Sequence, residues 1–475
     1  MIWIELDKSS NMTLIHQIFI KLREKILLGE LQEGDRLPSS RELAESLNVS
    51  RNVILEVYEQ LIAEGYLKTK QGSGTFVESG ALLSHFQLLN PSNSNTPPPQ
   101  PLSVQPMKKD CIDFRSGVPA LNMFPRKKWA QVAKEVYENM EESLLGYNLP
   151  EGCTELRDTL SNYLYKTKGI RCNSNQIIIT TGATQAFTIL AKLLVSPNQE
   201  VIIEDPVTKE IREIFIERGA KINPIPVDEL GIQTAMLSNI KKSPSFIFVT
   251  PSHQFPLGGI LPIQRRIQLI QFATKINCFI IEDDYDSEFR YAGSPISSIK
   301  GLLPDKVIYV GTFSKILSPG LRIGYMILPN SLIEEANRLK RYTDYHSPTM
   351  EQIILARFIQ KGYLEQHILK MRKVYKTRRD LLILCLKKTF KESVKITGHS
   401  TGLHLIAEFK NIAFSNEIII HLEHSGVKVY PVKNHTFVTG QHENKLIIGY
   451  GHLSPTEIEE GIQRLKEGFE VFVNR

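Results

Sequence analysis

Apolar residues in this chain recur first at helical spacing and later in short unbroken runs, and the change of period separates two domains. Over residues 11–28 they fall at Leu14, Ile15, Ile18, Leu22 and Ile26, one face of a helix that Gly29 stops. The run LPSSRELAESLNVSRNVILEVYEQLIAEGYL then holds two shorter helical patterns. Ser39 or Ser40 caps the first, which reaches Leu47; Asn48 and Val49 form a tight turn; Ser50 caps the second, which runs from Arg51 to Glu64 before Gly65. Two short helices joined this tightly predict a helix-turn-helix. Residues 66–70 and 75–78 flank the turn QGSG and predict a β-hairpin wing.

Residues 79–111 change character: Pro, Ser and Asn dominate, and PPPQP favours an extended semi-rigid spacer, with a short helical turn predicted over Leu82–Leu89. From residue 112 onward the pattern alternates unbroken apolar runs with helical stretches. IIITTG, EVIIEDP, FIFVTP, CFIIEDDY and KVIYVG read as strands buried on both faces, which is the signature of a mostly parallel sheet. Helical spacing then continues from about residue 331 to 390. GLHLIAEF, VKVYPV and KLIIGYGHL are predicted strands of a smaller segment that a helix over residues 455–472 closes. The expected organisation is therefore multidomain: a winged helix-turn-helix over residues 1–78, a linker over 79–111, and an α/β domain over 112–475 with a small C-terminal α/β subdomain.

Composition changes this picture little. At 475 residues, 42% hydrophobic and 23% charged, the chain is an ordinary globular protein of more than one domain. It carries neither a signal-peptide pattern nor an apolar run long enough to span a bilayer, so a cytoplasmic location and no membrane partner are expected. Five scattered cysteines without CxxC spacing predict neither disulfides nor a metal site. Net charge is +6, yet residues 1–78 hold nine Lys+Arg against twelve Asp+Glu, or −3. A DNA-binding module would then depend on clustered groups: Arg41, Arg51 at the start of the recognition helix with Ser50 and Asn52 beside it, and Lys68, Lys70 and Gly72 on the wing.

The candidate chemistry lies past the ends of the strands, where open α/β sheets bind ligands. Asp283 and Tyr285 are two apart and face the same way in an extended chain, whereas Asp284 should face the other. Lys315 follows the next strand, and Arg322 follows a Pro-Gly turn. A carboxylate, a phenol, an amine and a guanidinium suit a ring with a basic nitrogen, a phenolic oxygen, an aldehyde and a phosphate, which describes pyridoxal 5'-phosphate (PLP). In that reading Lys315 forms the Schiff base, Asp283 protonates the ring nitrogen, Tyr285 bonds the ring oxygen and Arg322 clamps phosphate. Gly182, Ala183 and Thr184 open a helix and offer amides to an anion. His253 and Gln254 end another strand and are candidates for contact with the ring oxygen or the Schiff base.

IEDDYDSEF together with GTFSKxxxPGLRIGY resembles fold type I aminotransferases, and most closely the MocR/GabR family of bacterial regulators. LPSSRELAESLNVSRNVI is similar to the GntR-type winged helix that opens those proteins. The resemblance implies that Gly182–Thr184 form a second phosphate contact, with Thr312 and Ser314 adding hydroxyls. It also implies a PLP-dependent regulator that binds a double-stranded DNA operator as a homodimer, with an amine, an amino acid or PLP as effector. The alternative is a working aminotransferase with an accessory DNA-binding domain. Three positions depart from the family. Ile447 stands where an arginine grips the substrate carboxylate, His452 stands where a variant arginine follows, and Val207–Thr208 replace an aromatic over the ring. Common α-amino acids and γ-aminobutyrate are accordingly expected to be poor ligands, unless Arg157, Arg212, Arg338 or Arg341 reaches the site.

Overall fold

The computed structural model describes residues 4–81 and 110–473, apart from 8, 241, 292, 294 and 295. The chain divides into two units, Met1–Val104 and Gln105–Arg475. Most of the linker, its polyproline run and the turn expected at Leu82–Leu89 lie outside the described residues.

In the first unit three helices, Leu14–Leu27, Ser40–Leu47 and Arg51–Ala63, precede an antiparallel hairpin of Leu67–Lys70 and Gly74–Val77. Phe19 joins Ile18, Leu22 and Ile26 in the core, while Leu14 and Ile15 stay half-buried, so the inward face is shifted slightly from the one predicted. The third helix buries Ile54, Val57, Tyr58 and Leu61, the i, i+3, i+4, i+7 stripe of an amphipathic helix. Ser39 caps the second helix through a reciprocal box with Glu42. Asn48 takes the left-handed conformation (φ 52°) that stops it, making the tight joint the sequence predicted. Ser50 occupies the N-cap position of the third helix but makes no capping bond with its side chain.

An eight-stranded sheet organises the second unit. Across it run Ile177–Thr180, Gly324–Ile327, Val307–Thr312, Phe279–Asp284, Phe246–Val249, Glu200–Asp205, Lys221–Asp228 and Gly231–Ile232. All are parallel except Gly324–Ile327 and the short edge strand Gly231–Ile232. The central strands are buried along their whole length, as unbroken Val/Ile/Phe runs require when helices cover both faces. The helical region after the sheet is three helices, Ile333–Asp344, Thr349–Gln360 and Tyr363–Phe390.

The small subdomain has an antiparallel sheet ordered Val394–Thr397, His404–Phe409, Lys445–Gly449, Tyr430–Pro431. VKVYPV is not one strand. Val427–Lys428 pairs in parallel with Ile112–Asp113, and only Tyr430–Pro431 joins the four-stranded sheet. The opening residues of the domain are thus attached to its end: Ile112 and Phe114 sit in the same core as Leu405, Ile448 and Phe469.

Candidate functional site

The strand Phe279–Asp284 is apolar until three acidic residues end it, all of them buried. Asp284 turns away from the cavity described below. It accepts from Tyr309 Oη at 2.6 Å and Ser287 Oγ at 2.8 Å, and pairs with Lys168 at 3.1 Å. Burial alone would raise its pKa, but the Lys168 ammonium and these hydrogen bonds hold it below the ordinary carboxylate range. Asp283 faces the other way and lines a cavity of about 600 Å³. Its Oδ1 is buried without a partner. Burial, reinforced by Asp284, Asp286 and Glu204, pushes the Asp283 carboxyl well above its usual value, with Lys315 opposing. A buried carboxyl left in this condition is suited to a cationic N–H, as a protonated pyridine would provide.

Lys315, Tyr285, Thr312, Ser314 and Arg322 line the same cavity, and so do Ala183 and Thr184 from the first turn of the helix Ala183–Leu194. Burial pushes the Lys315 amine below its ordinary value, against the pull of Asp286 and Asp283, and so toward the neutral form that attacks an aldehyde. Gly182 caps the helix at φ 101°, and a Cβ there would lie 2.9 Å from Arg322 Nη2. Arg322, itself left-handed at φ 49°, donates Nη2 to the Thr181 carbonyl at 2.6 Å. A guanidinium is thereby placed beside free helix-terminal amides and two hydroxyls, a cradle for a phosphate. Of the cofactor-binding set expected from the sequence, all but two members line this one cavity; Gly182 stands just behind its wall against Arg322, and the other is displaced further.

The displaced residue is His253, which does not line the cavity. Tyr285 donates its hydroxyl to the His253 carbonyl at 2.9 Å and lies 3.1 Å from His253 Nδ1, which sits 3.0 Å from both Asp286 oxygens. His253 stands behind Tyr285 and orients it. Gln254 is likewise internal: its amide donates to the Pro206 and Phe255 carbonyls and accepts from Leu257 N–H. His253, Asp286 and His404 bring ligand atoms within 4.8 Å of one another. However, His404 already donates Nε2 to the Pro256 carbonyl at 2.9 Å, and Asp286 holds His253.

At the ligand end, Ile447 lines the cavity and is 1% exposed, beside Phe255 and Tyr430. His404 and His435 share that wall. Burial drives His404 down to about 3, helped by the neighbouring His253, and lowers His435 as well, so both are neutral. His452 is turned elsewhere, donating Nε2 to the Asp113 carbonyl at 2.9 Å. The four arginines considered from the sequence are also engaged elsewhere. Arg157 binds the Gly152 and Ser174 carbonyls, Arg212 the Thr436 carbonyl and Arg338 the Glu335 carboxylate, while Arg341 lies over Tyr345. Two contributors were not anticipated. Gly117 (φ 68°) abuts the reactive lysine, since a Cβ there would lie 2.9 Å from Lys315 Nζ. Arg115, two residues earlier, lines the cavity. The available signal was the glycine two residues after a basic one in FRSG, at the start of the domain.

In the first unit Arg41, Ser50, Arg51 and Asn52 are exposed around the start of the third helix. Arg51 Nε bonds Ser40 Oγ at 3.2 Å, and the uncapped Ser50 hydroxyl is open to a ligand. On the wing, Lys70 is exposed over the Phe76 ring at 5.2 Å and Gly72 makes the turn at φ 74°. Lys68 differs from expectation: Glu78 takes its ammonium, which holds that carboxyl down at about 2.

Comparison with known proteins agrees with both halves. Residues 14–77 match the model for bacterial regulatory proteins of the gntR family, and residues 109–465 match that for aminotransferase class I and II. The chain is 34% identical to the Uncharacterized HTH-type transcriptional regulator YdeL of Bacillus subtilis, over 98% of this chain and 99% of that one. It is 33% identical to the Probable rhizopine catabolism regulatory protein MocR of Rhizobium meliloti, over 98% and 95%. Among solved structures, Pyrococcus horikoshii kynurenine aminotransferase, in complex with PMP, superimposes with a TM-score of 0.72 at 29% identity, covering 77% of this chain and 92% of that one.

Proposed function

The chain belongs to the MocR-type transcriptional regulators, in which a GntR-type DNA-binding domain precedes a PLP-binding aminotransferase-like domain; on that premise we propose that an amine ligand, meeting the cofactor at Lys315, controls how the first domain engages its operator. When bound, PLP supplies an aldehyde that takes up amines reversibly and a ring that spreads charge. Lys315 is the residue to which it attaches, and Asp283 holds a proton on its ring nitrogen. Tyr285, positioned by His253 and Asp286, bonds its ring oxygen by turning its hydroxyl hydrogen from the His253 carbonyl toward the cavity. Arg322, Thr312, Ser314 and the amides of Gly182, Ala183 and Thr184 hold its phosphate. Ser50, Arg51 and Asn52 read base edges, while Arg41, Lys70 and Gly72 meet the backbone. The protein acts in the cytoplasm as a homodimer on paired half-sites.

The observation that carries this reading is the wall at Ile447. The cavity gathers an amine, a carboxyl, a phenol, a guanidinium and two hydroxyls that suit the cofactor, but beside the buried amine it offers an isoleucine and two neutral histidines, and among its lining residues no second buried cation to grip an α-carboxylate. Such a site can take up an amine without being built to turn over amino acids. The test is to titrate the PLP-loaded full chain with amines, following its visible spectrum and its binding to duplexes selected from a random library. The spectral change and the change in DNA binding should share one concentration dependence. Rapid turnover of a common amino acid with an oxo acid, without effect on DNA binding, would support the aminotransferase alternative instead.

A further inference from the structure

The residues that open the second domain are fastened at both ends. Ile112 N–H donates to the Gly426 carbonyl at 2.9 Å, Phe114 N–H to the Lys428 carbonyl at 3.0 Å, and Gly449 N–H to the Phe114 carbonyl at 2.8 Å. Gly449 is a glycine for a steric reason: a Cβ there would overlap the Arg115 carbonyl. Gly117 ends the segment against Lys315 Nζ. Between these fixed points Arg115 is held on the cavity wall by its backbone and by one nitrogen of its side chain. Nε donates to Tyr430 Oη at 3.2 Å and lies 3.6 Å from the Asp113 carboxylate. Nη1 and Nη2 have no hydrogen bond among the described residues. The side chain is 57% exposed, at the solvent end of a cavity whose reactive amine is buried.

We propose that Arg115, held by Tyr430, is the residue that recognises the acidic group of the ligand, and that the ligand is a primary amine whose acid lies away from its nitrogen. An arginine with Nε occupied and both terminal nitrogens free presents two parallel N–H donors, the fork that meets a carboxylate or sulfonate. An acid next to the amine would instead meet Ile447, Phe255 and the neutral histidines. The missing buried arginine therefore relocates charge recognition to the rim and does not abolish it. Ile447 and His452 argued against γ-aminobutyrate, but Arg115 removes that objection for acids held at a distance. This inference rests on the proposed amine-sensing role of the same cavity.

The experiment compares the PLP-loaded wild-type protein with the Arg115→Gln, Arg115→Lys and Tyr430→Phe variants. Each is titrated with γ-aminobutyrate, 5-aminovalerate, n-butylamine and L-alanine, reading the visible spectrum and calorimetric binding. The expected wild-type result is that the two ω-amino acids bind about ten- to hundredfold more tightly than n-butylamine, which is what charge-assisted hydrogen bonds provide. L-Alanine should show no such preference. Arg115→Gln should bring the ratio close to one while its visible band persists, showing that the cofactor site has folded. Arg115→Lys and Tyr430→Phe should fall between the two, because one loses the fork and the other its anchor. The assignment is overturned if the wild type makes no distinction between acid and alkyl amines, or if the preference survives in Arg115→Gln. If no amine of either kind perturbs the wild-type spectrum, the amine-sensing role itself fails, and this inference with it.

Discussion

Replacing Asp283 by Asn should change the stability of the empty and the cofactor-loaded protein in opposite directions. In the empty protein the carboxyl is buried, its Oδ1 has no partner, and burial with three neighbouring carboxylates raises its pKa above the ordinary 3.8. A group whose folded-state pKa is raised binds its proton more tightly in the native state. Its contribution to stability is complete below the ordinary value and is lost as pH rises through the folded one. At neutral pH it is therefore a liability, on the scale of a buried group left unsatisfied, about 1–3 kcal/mol. Asn keeps the shape and removes the charge, so the empty variant should melt higher than the empty wild type, with the gap widening as pH is raised from 4 to 8. With PLP bound the sign reverses. Asp283 then faces a cationic ring N–H, and removing one partner of a buried pair costs about 3–5 kcal/mol. That corresponds to about two to four decades in cofactor affinity. Melting curves across the pH range and PLP titrations by absorbance check both halves. If Asp283→Asn binds PLP as tightly as wild type, Asp283 is not the partner of the ring nitrogen; if the empty variant is less stable at every pH, the buried carboxyl is not the liability its surroundings imply.

Lys315→Ala should abolish borohydride-stable attachment of the cofactor and its visible band while the far-ultraviolet spectrum stays native; retained covalent cofactor would mean that another lysine carries it. Gly182→Ala forces a Cβ into a left-handed backbone position 2.9 Å from the Arg322 guanidinium. It should cost about 1–3 kcal/mol in strain and weaken PLP at least tenfold, measured by titration; an unaltered affinity would remove that helix terminus from the phosphate site. Arg51→Ala should weaken binding to the selected duplex by about 1–3 kcal/mol and relax its sequence preference, since the residue starts the recognition helix. Lys70→Ala should weaken specific and random duplexes alike and flatten the salt dependence. Equal behaviour of the two variants in fluorescence anisotropy would contradict the division between base reading and backbone contact.

Period and punctuation alone determined much about this protein. The stripe Ile54, Val57, Tyr58, Leu61, the cap at Ser39 and the stop at Asn48 are local, because helix geometry and backbone sterics act within a few residues. The alternation of strands and helices in the second domain was equally legible, because strands buried on both faces must be apolar throughout. Asp283 and Tyr285 could be placed on one face, and Asp284 on the other, from the period of an extended chain. What the sequence could not determine was which side chains already have partners. Lys68 looked free until the hairpin brought Glu78 beside it, and His253 and Gln254 looked available until Asp286, Pro206 and Phe255 met them. Arg115 lies 332 residues before Ile447 in the chain, which is 447 − 115, yet both line one cavity. They meet only because the domain's first strand pairs with Val427–Lys428 and Gly449 leaves room for the Arg115 carbonyl. Local pattern reports the state of the backbone and the face a residue occupies. Hydrogen-bond partners, burial and the charge each group can carry depend on residues hundreds of positions away, and those only the tertiary structure decides.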